Sequence, residues 1–519
     1  MVFLVLSESV VTIMSIIFAI CLWLLITLTY LWYVLPKQKL EHLKRCGFEG
    51  PIPCFPFGNI KEMNMKLKSS LSSSFSSSFE SHDIHSTVSP YYSSWQKSHG
   101  KIFVYWLGTE PFLYIADAEF LKKISTKVLA KTWGKPSVFR NDRDPMFGKG
   151  LVMIEGNDWI RHRHVIAPAF SPLNLKAMAN TIVESTRKMI DRWDSQINGG
   201  NHEIDVEREI ITTAGEIIAR ASFGMGDEHG KQVFEKLRTL QMSLFKTNRY
   251  VGVPFGKFFT LKKTLEAKKL GEEIDKLLFS IITTRMNSHE TQTQQDLLGL
   301  LLQENHQVDE CKTLTIQEFV DECKTFFFGG YETTALSITW TLLLLAMHQD
   351  WQNQLRDEIK EVVGNNMLDI NLLAGLKKMK WVMNEALRLY PPSPNVQRQA
   401  REDIGVDNLI VPKGTNIWID VVALHHDMAL WGDDANKFRP ERFMNDVNGG
   451  CNHMMGYLPF GFGGRTCVGR NLTFLEYKVV LTLLLSRFSF KLSPCYHHSP
   501  TIMLSLRPSY GIPLIVQPL

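Results

Sequence analysis

The stretch Phe460-Gly-Phe-Gly-Gly-Arg-Thr-Cys-Val-Gly469 decides the interpretation of the chain, because it sets one cysteine among four glycines. Glycines here allow a tight loop whose backbone comes close to a flat ligand. An apolar helical pattern follows, so Cys467 lies just before a helix N-terminus, where the helix dipole favours the thiolate. Arg465 is placed to pair with a carboxylate. The stretch predicts a loop that offers one thiolate to an iron.

Two other interpretations of Cys467 start from the same residues. A lone cysteine in a Gly-rich turn is most often a buried structural thiol. A structural zinc site takes four ligands, usually in C-x-x-C or H-x-x-x-H pairs, and no such pair surrounds Cys467. The stretch matches the pattern F-x-x-G-x-R-x-C-x-G. This pattern resembles the haem-binding loop of the cytochrome P-450 family, which implies that Cys467 is the axial ligand of the iron and that Phe460 and Arg465 bind the haem.

The composition allows a large folded core and excludes one class of partner. The chain has 519 residues, a hydrophobic content of 45% and a formal net charge of +4. A net charge this small gives no reason to expect nucleic acid binding. The eight cysteines lack the close, even spacing of a disulfide framework, so we expect a reducing compartment.

The N-terminal segment is predicted to cross a membrane. Residues 10–35 contain no charged side chain, and about 20 apolar residues are enough for a helix to span a bilayer. A cleaved signal peptide needs a basic start and an apolar core of roughly 7–15 residues, and neither is present. Basic residues follow the run, so the positive-inside rule predicts a lumenal N-terminus and a cytosolic domain. These residues are Lys37, Lys39, Lys44 and Arg45.

Two connecting segments follow the apolar run. Residues 50–58 hold three prolines and two glycines, which exclude a helix and favour a stiff, extended chain. Residues 69–89 are rich in serine and are predicted to form a mobile surface loop. The sequence therefore predicts residues 1–35 as a membrane anchor, residues 36–60 as a Pro-rich hinge and residues 61–519 as the catalytic domain.

Trp159 and Arg163 are spaced by four residues and share one face of a predicted helix that starts at Gly156. Taken alone, this spacing fits any amphipathic helix with a surface arginine. Its place in the chain resembles the C helix of the cytochrome P-450 family, which implies that both side chains reach a haem propionate. Arg161 lies off this face and is a candidate contact for an electron-donating partner.

Residues 316–348 are predicted to form one long helix with two adjacent glycines, Gly329 and Gly330, at its centre. Each glycine costs roughly 1 kcal/mol in a helix interior, so a helix that keeps both needs close packing or a kink. The stretch resembles the I-helix motif of the same family, [A/G]-G-x-[D/E]-T-[T/S]. The resemblance implies that Glu332 and Thr333 are catalytic and pass protons to oxygen. A buried helix with small residues for close packing is the alternative.

Glu385 and Arg388 are three residues apart on one helix face, which by itself predicts only a surface salt bridge. The order of motifs resembles the E-x-x-R motif of the family, followed by a P-E-R-F segment. The resemblance implies a buried triad of Glu385, Arg388 and Arg442 that fixes the loop before the cysteine. It also implies that Arg398 binds a second propionate.

Helical patterns dominate the chain, and short runs rich in β-branched and aromatic residues predict strands. The fold class is mainly α with small β-sheets, and the resemblance implies the cytochrome P-450 fold, preceded by one transmembrane helix. The strands are predicted at residues 101–106, 112–115, 404–410, 416–422, 502–506 and 512–516.

Six motifs in the family's order imply a haem-dependent monooxygenase in the endoplasmic reticulum membrane. The cofactor implied is haem b, iron protoporphyrin IX, with electrons from NADPH through the NADPH-cytochrome P-450 reductase. The chain looks like plant microsomal members of the clan that includes cytokinin hydroxylases and gibberellin, steroid and triterpenoid oxidases. We therefore expect hydroxylation of a lipophilic plant small molecule, of isoprenoid type.

Two alternative functions stay open. The first is a fatty acid hydroxylase, for which Arg507 is the nearest candidate to hold a carboxylate. The second is a reductase-independent haem-thiolate isomerase or dehydratase; such members typically lose the acid–threonine pair that this chain keeps. The family's substrate pocket maps onto residues that are mostly apolar, which favours a lipophilic ligand. They are Phe326, Phe327, Gly330, Thr334, Pro394, Asn395, Val396, Ser509 and Tyr510.

Overall fold

The computed structural model describes residues 2–73, 81–127, 133–223, 228–245, 251–256, 260–287, 296–307, 313–364 and 368–519. Most of these residues are helical, as predicted. The helices are α1 Val2–Thr29, α2 Leu35–Arg45, α3 Ile60–Ser73, α4 His85–Val88, α5 Pro90–His99, α6 Ala118–Lys127, α7 Arg140–Phe147, α8 Gly156–Ile166, α9 Pro172–Asn198, α10 Val206–Phe223, α11 Glu228–Phe245, α12 Leu261–Asn287, α13 Leu297–Gln307, α14 Ile316–Met347, α15 Gln349–Val362, α16 Lys377–Leu389, α17 Val421–His425, α18 Met428–Trp431 and α19 Arg470–Arg487.

The strands form small sheets, which also agrees with the predicted fold class. The largest sheet has the order β1-β2-β8-β5-β3, and its β2–β8 pair is parallel. Three strands pair in the order β4-β12-β9, and β6-β7 and β10-β11 are separate hairpins. The strands are β1 Ile102–Leu107, β2 Glu110–Ile115, β3 Trp133–Gly134, β4 Glu203–Asp205, β5 Asn395–Ala400, β6 Ile404–Val406, β7 Leu409–Val411, β8 Asn416–Asp420, β9 Phe488–Leu492, β10 Pro500–Met503, β11 Ser505–Pro508 and β12 Pro513–Pro518.

Helix α14 is the central element of the domain and carries the predicted glycine pair. Thr315 caps its N-terminus in a capping box with Glu318, which satisfies two backbone N–H groups that the helix itself cannot pair. Most of its residues are buried, since α10, α12, α16 and α19 all pack against it. A helix that is apolar on nearly all sides is expected in such a position.

The N-terminal helix is long and apolar enough to cross a membrane, and the candidate span runs from Val11 to Arg45. Hydroxyl groups within α1 donate to backbone carbonyls four residues back, for example Thr27 to Trp23 at 2.8 Å. Such a bond leaves the hydroxyl of Thr27 with a partner inside an apolar environment. The helical conformation continues past residue 35 through a π-helical turn, Tyr30–Val34, into α2.

The first part of the predicted hinge is therefore helical, and the Pro-rich part is tied to the domain. Leu43 of α2 is buried, and Lys39 pairs with Glu110 of β2 at 3.4 Å. The carbonyl oxygen of Glu49 accepts a hydrogen bond from the backbone N–H of Val104 in β1, at 2.8 Å. The start of the catalytic domain at residue 61 stays a prediction.

Three predicted loops or strands differ from the structure. The serine-rich loop, residues 69–89, overlaps α3 and α4, and its middle lies outside the described residues. The strand predicted over residues 404–410 is a hairpin that turns at Asp407, where φ is +51°. The strand predicted over residues 502–506 is also part of a hairpin, formed by residues 500–508 with Leu504 at its tip, where φ is +83°. Leucine rarely adopts positive φ, so composition did not indicate that turn.

The E-x-x-R motif forms a buried ion pair that joins three parts of the chain. Arg388 donates to both carboxylate oxygens of Glu385 at 2.8 Å, and both side chains have no exposed surface. The same guanidinium donates to three backbone carbonyls, those of His425, Ala435 and Lys437. Arg442 approaches Glu385 at 3.6 Å. The predicted triad is thus present in the folded chain.

We predict that Glu385→Gln destabilises the domain strongly, because it leaves the Arg388 guanidinium buried without a counter-charge. The expected loss is about 3–5 kcal/mol in the free energy of unfolding, measured by urea unfolding. Asp407→Asn is the control: it removes an ion pair with Lys123 that is exposed on both sides, so its unfolding midpoint should stay at that of the unsubstituted protein. Equal midpoints for both variants would contradict the prediction.

Candidate functional site

The loop before α19 presents the thiol of Cys467. Gly461 and Gly463 adopt φ of +72° and +63°, which side chains disfavour. The backbone N–H of Cys467 donates to the carbonyl of Phe460 at 2.9 Å and closes the loop. The helix begins three residues later at Arg470, as predicted. The loop therefore holds the sulfur directly in front of a helix N-terminus.

The sulfur of Cys467 faces an enclosed space. Its residue is exposed to a water-sized probe, and yet burial by the surrounding protein raises the thiol's pKa. Backbone N–H groups of Gly469 and Arg470 and the charge of Arg163 act in the opposite direction and favour the thiolate. Accessibility together with desolvation describes a cavity inside the domain, which is what a buried ligand needs.

Helix α8 brings two predicted residues to this cavity. Arg163 donates to the carbonyl of Thr466, the residue before Cys467, at 3.1 Å. The ring of Trp159 lies 4.8 Å from the guanidinium of Arg465, a cation–π contact. The fold thus brings two residues of α8, Trp159 and Arg163, next to two residues of the loop, Arg465 and Cys467. The two pairs are about 300 residues apart in the chain.

Arg161 does not have the exposed guanidinium that a docking contact needs. It is mostly buried and donates to both oxygens of Glu318 on α14, one of them at 3.0 Å, and to the carbonyl of Thr313. The interpretation of Arg161 as a docking residue is therefore not supported by its position. Helix periodicity placed it on the outer face of α8, and the packing of α14 covers that face.

Cationic side chains line one edge of the site. Arg398 is buried, and no carboxylate among the described residues forms an ion pair with it. Burial, followed by the charge of Arg465, lowers the pKa of Arg398 to about 9. Burial and the charges of Arg398, Arg143 and Arg465 hold the pKa of Lys135 well below its usual value. Arg398 is thus a buried cation with no carboxylate paired to it among the described residues, and such a buried charge favours an anionic partner.

Lys135 was not identified from the sequence. It follows β3 in the chain, and no spacing rule links a single lysine near a two-residue strand to a motif more than 300 residues away. Only the pairing of β3 with β5, which carries Arg398, places the lysine beside the other cations.

The two adjacent glycines of α14 have different roles. A Cβ atom on Gly330 would come within 2.7 Å of the side chain of Ile218 on α10, so this glycine allows the two helices to pack closely. A Cβ atom on Gly329 would meet no atom within 4 Å. Gly330 is thus explained by close packing between helices, whereas Gly329 borders open space.

Glu332 and Thr333 are neighbours in sequence but have different partners. The carboxylate of Glu332 is buried and accepts from Gln241 at 2.7 Å and from Ser505, with Arg507 at 3.6 Å. The hydroxyl of Thr333 donates to the carbonyl of Gly329 at 2.7 Å, beside the open space. Thr333 therefore faces the cavity edge, whereas the carboxylate of Glu332 joins α11 and β11.

Several of the predicted pocket residues are either packed in the core or exposed on the surface. Phe326 packs against Phe170, and Phe327 is packed in the core between α10 and α11, away from Gly329. Tyr510 is 69% exposed, in the turn that follows the β10–β11 hairpin. The tip of that hairpin, Leu504, is the part that approaches α14, since its neighbour Ser505 bonds to Glu332. Leu504, which has the positive φ noted above, was not among the pocket residues predicted from the sequence.

A second cleft, of about 480 Å³, lies between α7, α12 and the first half of α14. Its lining is charged, and the ammonium of Lys324 there already pairs with Asp275 at 2.7 Å and Asp321 at 2.9 Å. Satisfied ion pairs of this kind leave little apolar surface for a lipophilic ligand. The cavity in front of Cys467 is the site that matches the sequence motifs.

A haem fits the residues that surround this cavity. The thiol of Cys467 is accessible, the buried Arg398 has no paired carboxylate among the described residues, and Gly329 leaves room for a flat group against the helix. Two propionates on one edge of a haem supply such an anion. Arg398, Arg465 and Trp159 would hold that edge, with Arg163 beside the loop, and Cys467 would hold the iron.

Comparisons with known proteins agree with this fit. The family model described as Cytochrome P450 matches residues 77–513. Two proteins named cytokinin hydroxylase from Arabidopsis thaliana are 38% and 37% identical to this chain, and each match covers 94% of both chains. A protein named cytochrome P450 714C2 from Oryza sativa subsp. japonica is 34% identical over 96% of this chain and 97% of its own. The chain therefore belongs to the cytochrome P450 family and is a monooxygenase, an oxidoreductase whose family implies a haem cofactor.

Proposed function

We propose that this monooxygenase hydroxylates a lipophilic plant small molecule of isoprenoid type, with Cys467 as the axial ligand of a haem b iron. The observation that carries the proposal is the accessible thiol of Cys467, held at the start of a helix close to Arg163 and to a group of cations that includes the buried Arg398. When bound, a haem with a thiolate ligand supplies the oxygen activation that side chains alone cannot.

The residues of the chain hold the cofactor and manage protons. The N–H groups at the start of α19 and the charge of Arg163 stabilise the thiolate of Cys467. Arg398 and Arg465 neutralise the two propionates of the haem, and together with Trp159 they orient that edge of the cofactor. Thr333 faces the cavity with a hydroxyl that can exchange its bond to Gly329 for a bond to water, and so pass a proton to oxygen. We propose Glu332 as the acid behind it, reached through movement of its present partners.

Electrons are proposed to come from NADPH through the NADPH-cytochrome P-450 reductase, since no nucleotide-binding glycine fingerprint accompanies a βαβ unit in the sequence. The apolar helix α1 supports a single-pass location in the endoplasmic reticulum membrane, with the catalytic domain in the cytosol. Protease added to intact microsomes should digest the domain, and full protection would contradict this topology.

The substrate proposal rests on the relatives and on the pocket. The two Arabidopsis thaliana relatives carry the name cytokinin hydroxylase. The residues that the resemblance maps to the pocket combine apolar side chains such as Phe326 and Val396 with a few polar groups such as Asn395. A screen of substrate-binding spectra against cytokinins, diterpenoids, triterpenoids and fatty acids tests the class, and a response to none of the isoprenoids would contradict it. Retention of Thr333 beside the cavity disfavours the isomerase alternative.

The fatty acid alternative loses its proposed anchor, because Arg507 is already engaged. It donates to Glu207 at 2.6 Å and lies 3.6 Å from Glu332, and all three side chains are largely buried. A carboxylate ligand would have to displace one of two buried glutamates. The cation is therefore better explained as the counter-charge that allows Glu207 and Glu332 to be buried.

We predict that Cys467→His removes the red-shifted Soret band that a thiolate-bound haem shows with carbon monoxide, because a neutral imidazole replaces the anionic sulfur. The measurement is the carbon monoxide difference spectrum of the purified protein. Cys451→Ser, at a half-buried cysteine outside the loop, is the control and should keep the band. An unchanged band in Cys467→His would remove this cysteine as the ligand.

We predict that Thr333→Val keeps the haem but lowers product formed per NADPH by about tenfold or more, with hydrogen peroxide released instead. The substitution removes the hydroxyl beside Gly329 and keeps the shape of the side chain. Thr212→Val is the matched control, since Thr212 makes the same bond to a carbonyl four residues back on the exposed face of α10. Unchanged coupling in Thr333→Val would exclude this hydroxyl from proton transfer.

We predict that Arg507→Gln destabilises the domain by about 3 kcal/mol or more, because two buried carboxylates lose their cation. Thermal unfolding measures the loss, and Arg487→Gln, at an exposed pair with Asp194, should unfold at the original temperature. The folded variant should give the same spectral response to isoprenoid ligands. A fatty acid response that is present in the original protein and lost in the folded variant would support the fatty acid alternative instead.

A further inference from the structure

A buried imidazole lies between two carboxylates behind the site. His162 of α8 has its Nδ1 atom 2.6 Å from Glu322 and its Nε2 atom 3.3 Å from Glu318, both on α14. His162 and Glu322 are almost completely buried, whereas Glu318 is partly exposed and lines the charged cleft described above. The three side chains form a continuous path from solvent to a buried carboxyl group.

The Glu322 carboxyl is not fully satisfied by the protein. One oxygen bonds to His162, and the other, Oε2, has no hydrogen-bond partner among the described residues. Burial raises the pKa of Glu322 to about 7, against the opposing effects of His162 and of the backbone N–H of Leu151, and the nearby Asp321 raises it further. A buried carboxylate oxygen without a donor is costly, so this group binds a proton far more readily than an exposed glutamate.

The other charges around the pair are already matched. Arg161 pairs with Glu318, and burial of Glu318 is outweighed by this bond, so its pKa falls to about 2. Asp321 pairs with Lys324, which pairs in turn with Asp275 on α12. The carboxyl of Glu322 is therefore a group of this cluster whose charge changes close to neutral pH.

The pair is connected to both sides of the cationic edge. His162 lies on α8 between Trp159 and Arg163, the two residues of that helix that reach the cavity. The backbone N–H of Leu151 faces the carboxylate of Glu322, and Leu151 belongs to the segment whose Ile154 carbonyl accepts from Arg465 at 3.1 Å. A change of charge at Glu322 acts on both sides of the edge at once.

We propose that His162 and Glu322 are a positioning pair behind the haem carboxylates, and that proton uptake by Glu322 through Glu318 and His162 makes the reduction potential of the iron depend on pH. This inference rests on the proposed haem site. One proton from solvent reaches the carboxylate of Glu322 as pH falls, and the same proton returns to solvent as pH rises. The pair touches neither substrate nor iron and acts through the edge that it supports.

The direction of the effect follows from the charges. Above neutral pH Glu322 is negative and favours the more positive, oxidised iron, so the potential falls. Below neutral pH Glu322 is neutral and this contribution disappears, so the potential rises and then levels. We expect the change within about one pH unit of neutrality, where the carboxyl exchanges its proton.

The test is spectroelectrochemical titration of the haem-loaded, full-length protein across the neutral pH range. Glu322→Gln should flatten the pH dependence of the midpoint potential over that range. His162→Gln should move the pH dependence to higher pH, because it removes the hydrogen bond that holds the pKa of Glu322 down. Glu322→Asp keeps a titrating group and should keep a pH-dependent potential. Glu358→Gln is the matched control, since Glu358 is a buried glutamate that accepts backbone bonds at the start of α16, and its pH curve should follow the original protein.

The outcomes separate this inference from the proposed function. A protein that binds no haem, or whose bound haem lacks the thiolate spectrum, would overturn the haem site itself. A haem-loaded Glu322→Gln variant with the same pH curve as the original protein would overturn only the role of the pair. If Glu322→Gln fails to fold, a pH curve of His162→Gln that coincides with that of the original protein overturns the role of the pair.

Discussion

The ion pair of Glu385 and Arg388 determines where the cysteine loop begins. The carbonyl of Arg388 accepts from Nδ1 of His425 at 3.1 Å, and Nε2 of the same ring accepts from the backbone N–H of Leu458 at 2.9 Å. The carbonyl of Leu458 in turn accepts from Gly461 in the loop. This chain of bonds needs a neutral imidazole with its proton on Nδ1, and burial lowers the pKa of His425 to about 3, which keeps it neutral. A fixed loop would suit the proposed role of Cys467, since a sulfur that binds a metal must hold its direction.

The second constraint on the site is electrostatic. Burial lowers the pKa values of Lys135, Arg398 and Arg465, and the charge of Arg465 adds to this effect at the other two residues. A doubly negative group bound at this edge would offset the unfavourable burial of these charges. The proposed pair of His162 and Glu322 lies directly behind this edge and is the nearby feature whose charge can vary. The cofactor edge and the helices that support it are therefore one electrostatic unit.

The third constraint is the geometry of α14. Successive residues of a helix point about 100° apart, so Glu332 and Thr333 cannot both face the cavity. Thr333 faces the cavity edge at Gly329, while Glu332 is held by Gln241, Ser505 and Arg507. The acid thus links the long helix to α11 and to the β10–β11 hairpin, which border the same region. If Glu332 supplies protons, α11 and the β10–β11 hairpin must move, so the supply of protons is coupled to the position of these two elements.

Local spacing was enough to predict much of this protein. The sequence by itself determined the tight loop at Cys467, the apolar N-terminal helix, the long helix with its glycine pair and the E-x-x-R pair, because each depends on residues that are close together in the chain. Trp159, Arg163 and Arg398 were assigned to the site only through the resemblance to the family, because their local spacing alone fits an ordinary amphipathic helix or strand.

The tertiary structure alone decided the features that depend on distant partners. The helix Leu35–Arg45 in the predicted hinge is docked on β2, and the tip of the β10–β11 hairpin meets α14. Arg161 was predicted to contact a partner protein and Arg507 was the candidate to hold a ligand carboxylate, but they pair with Glu318 and Glu207, more than 150 residues away. Lys135 and His425 entered the site only through strand pairing and packing. A charged side chain takes whichever partner the fold brings within about 4 Å, and no local pattern contains that distance.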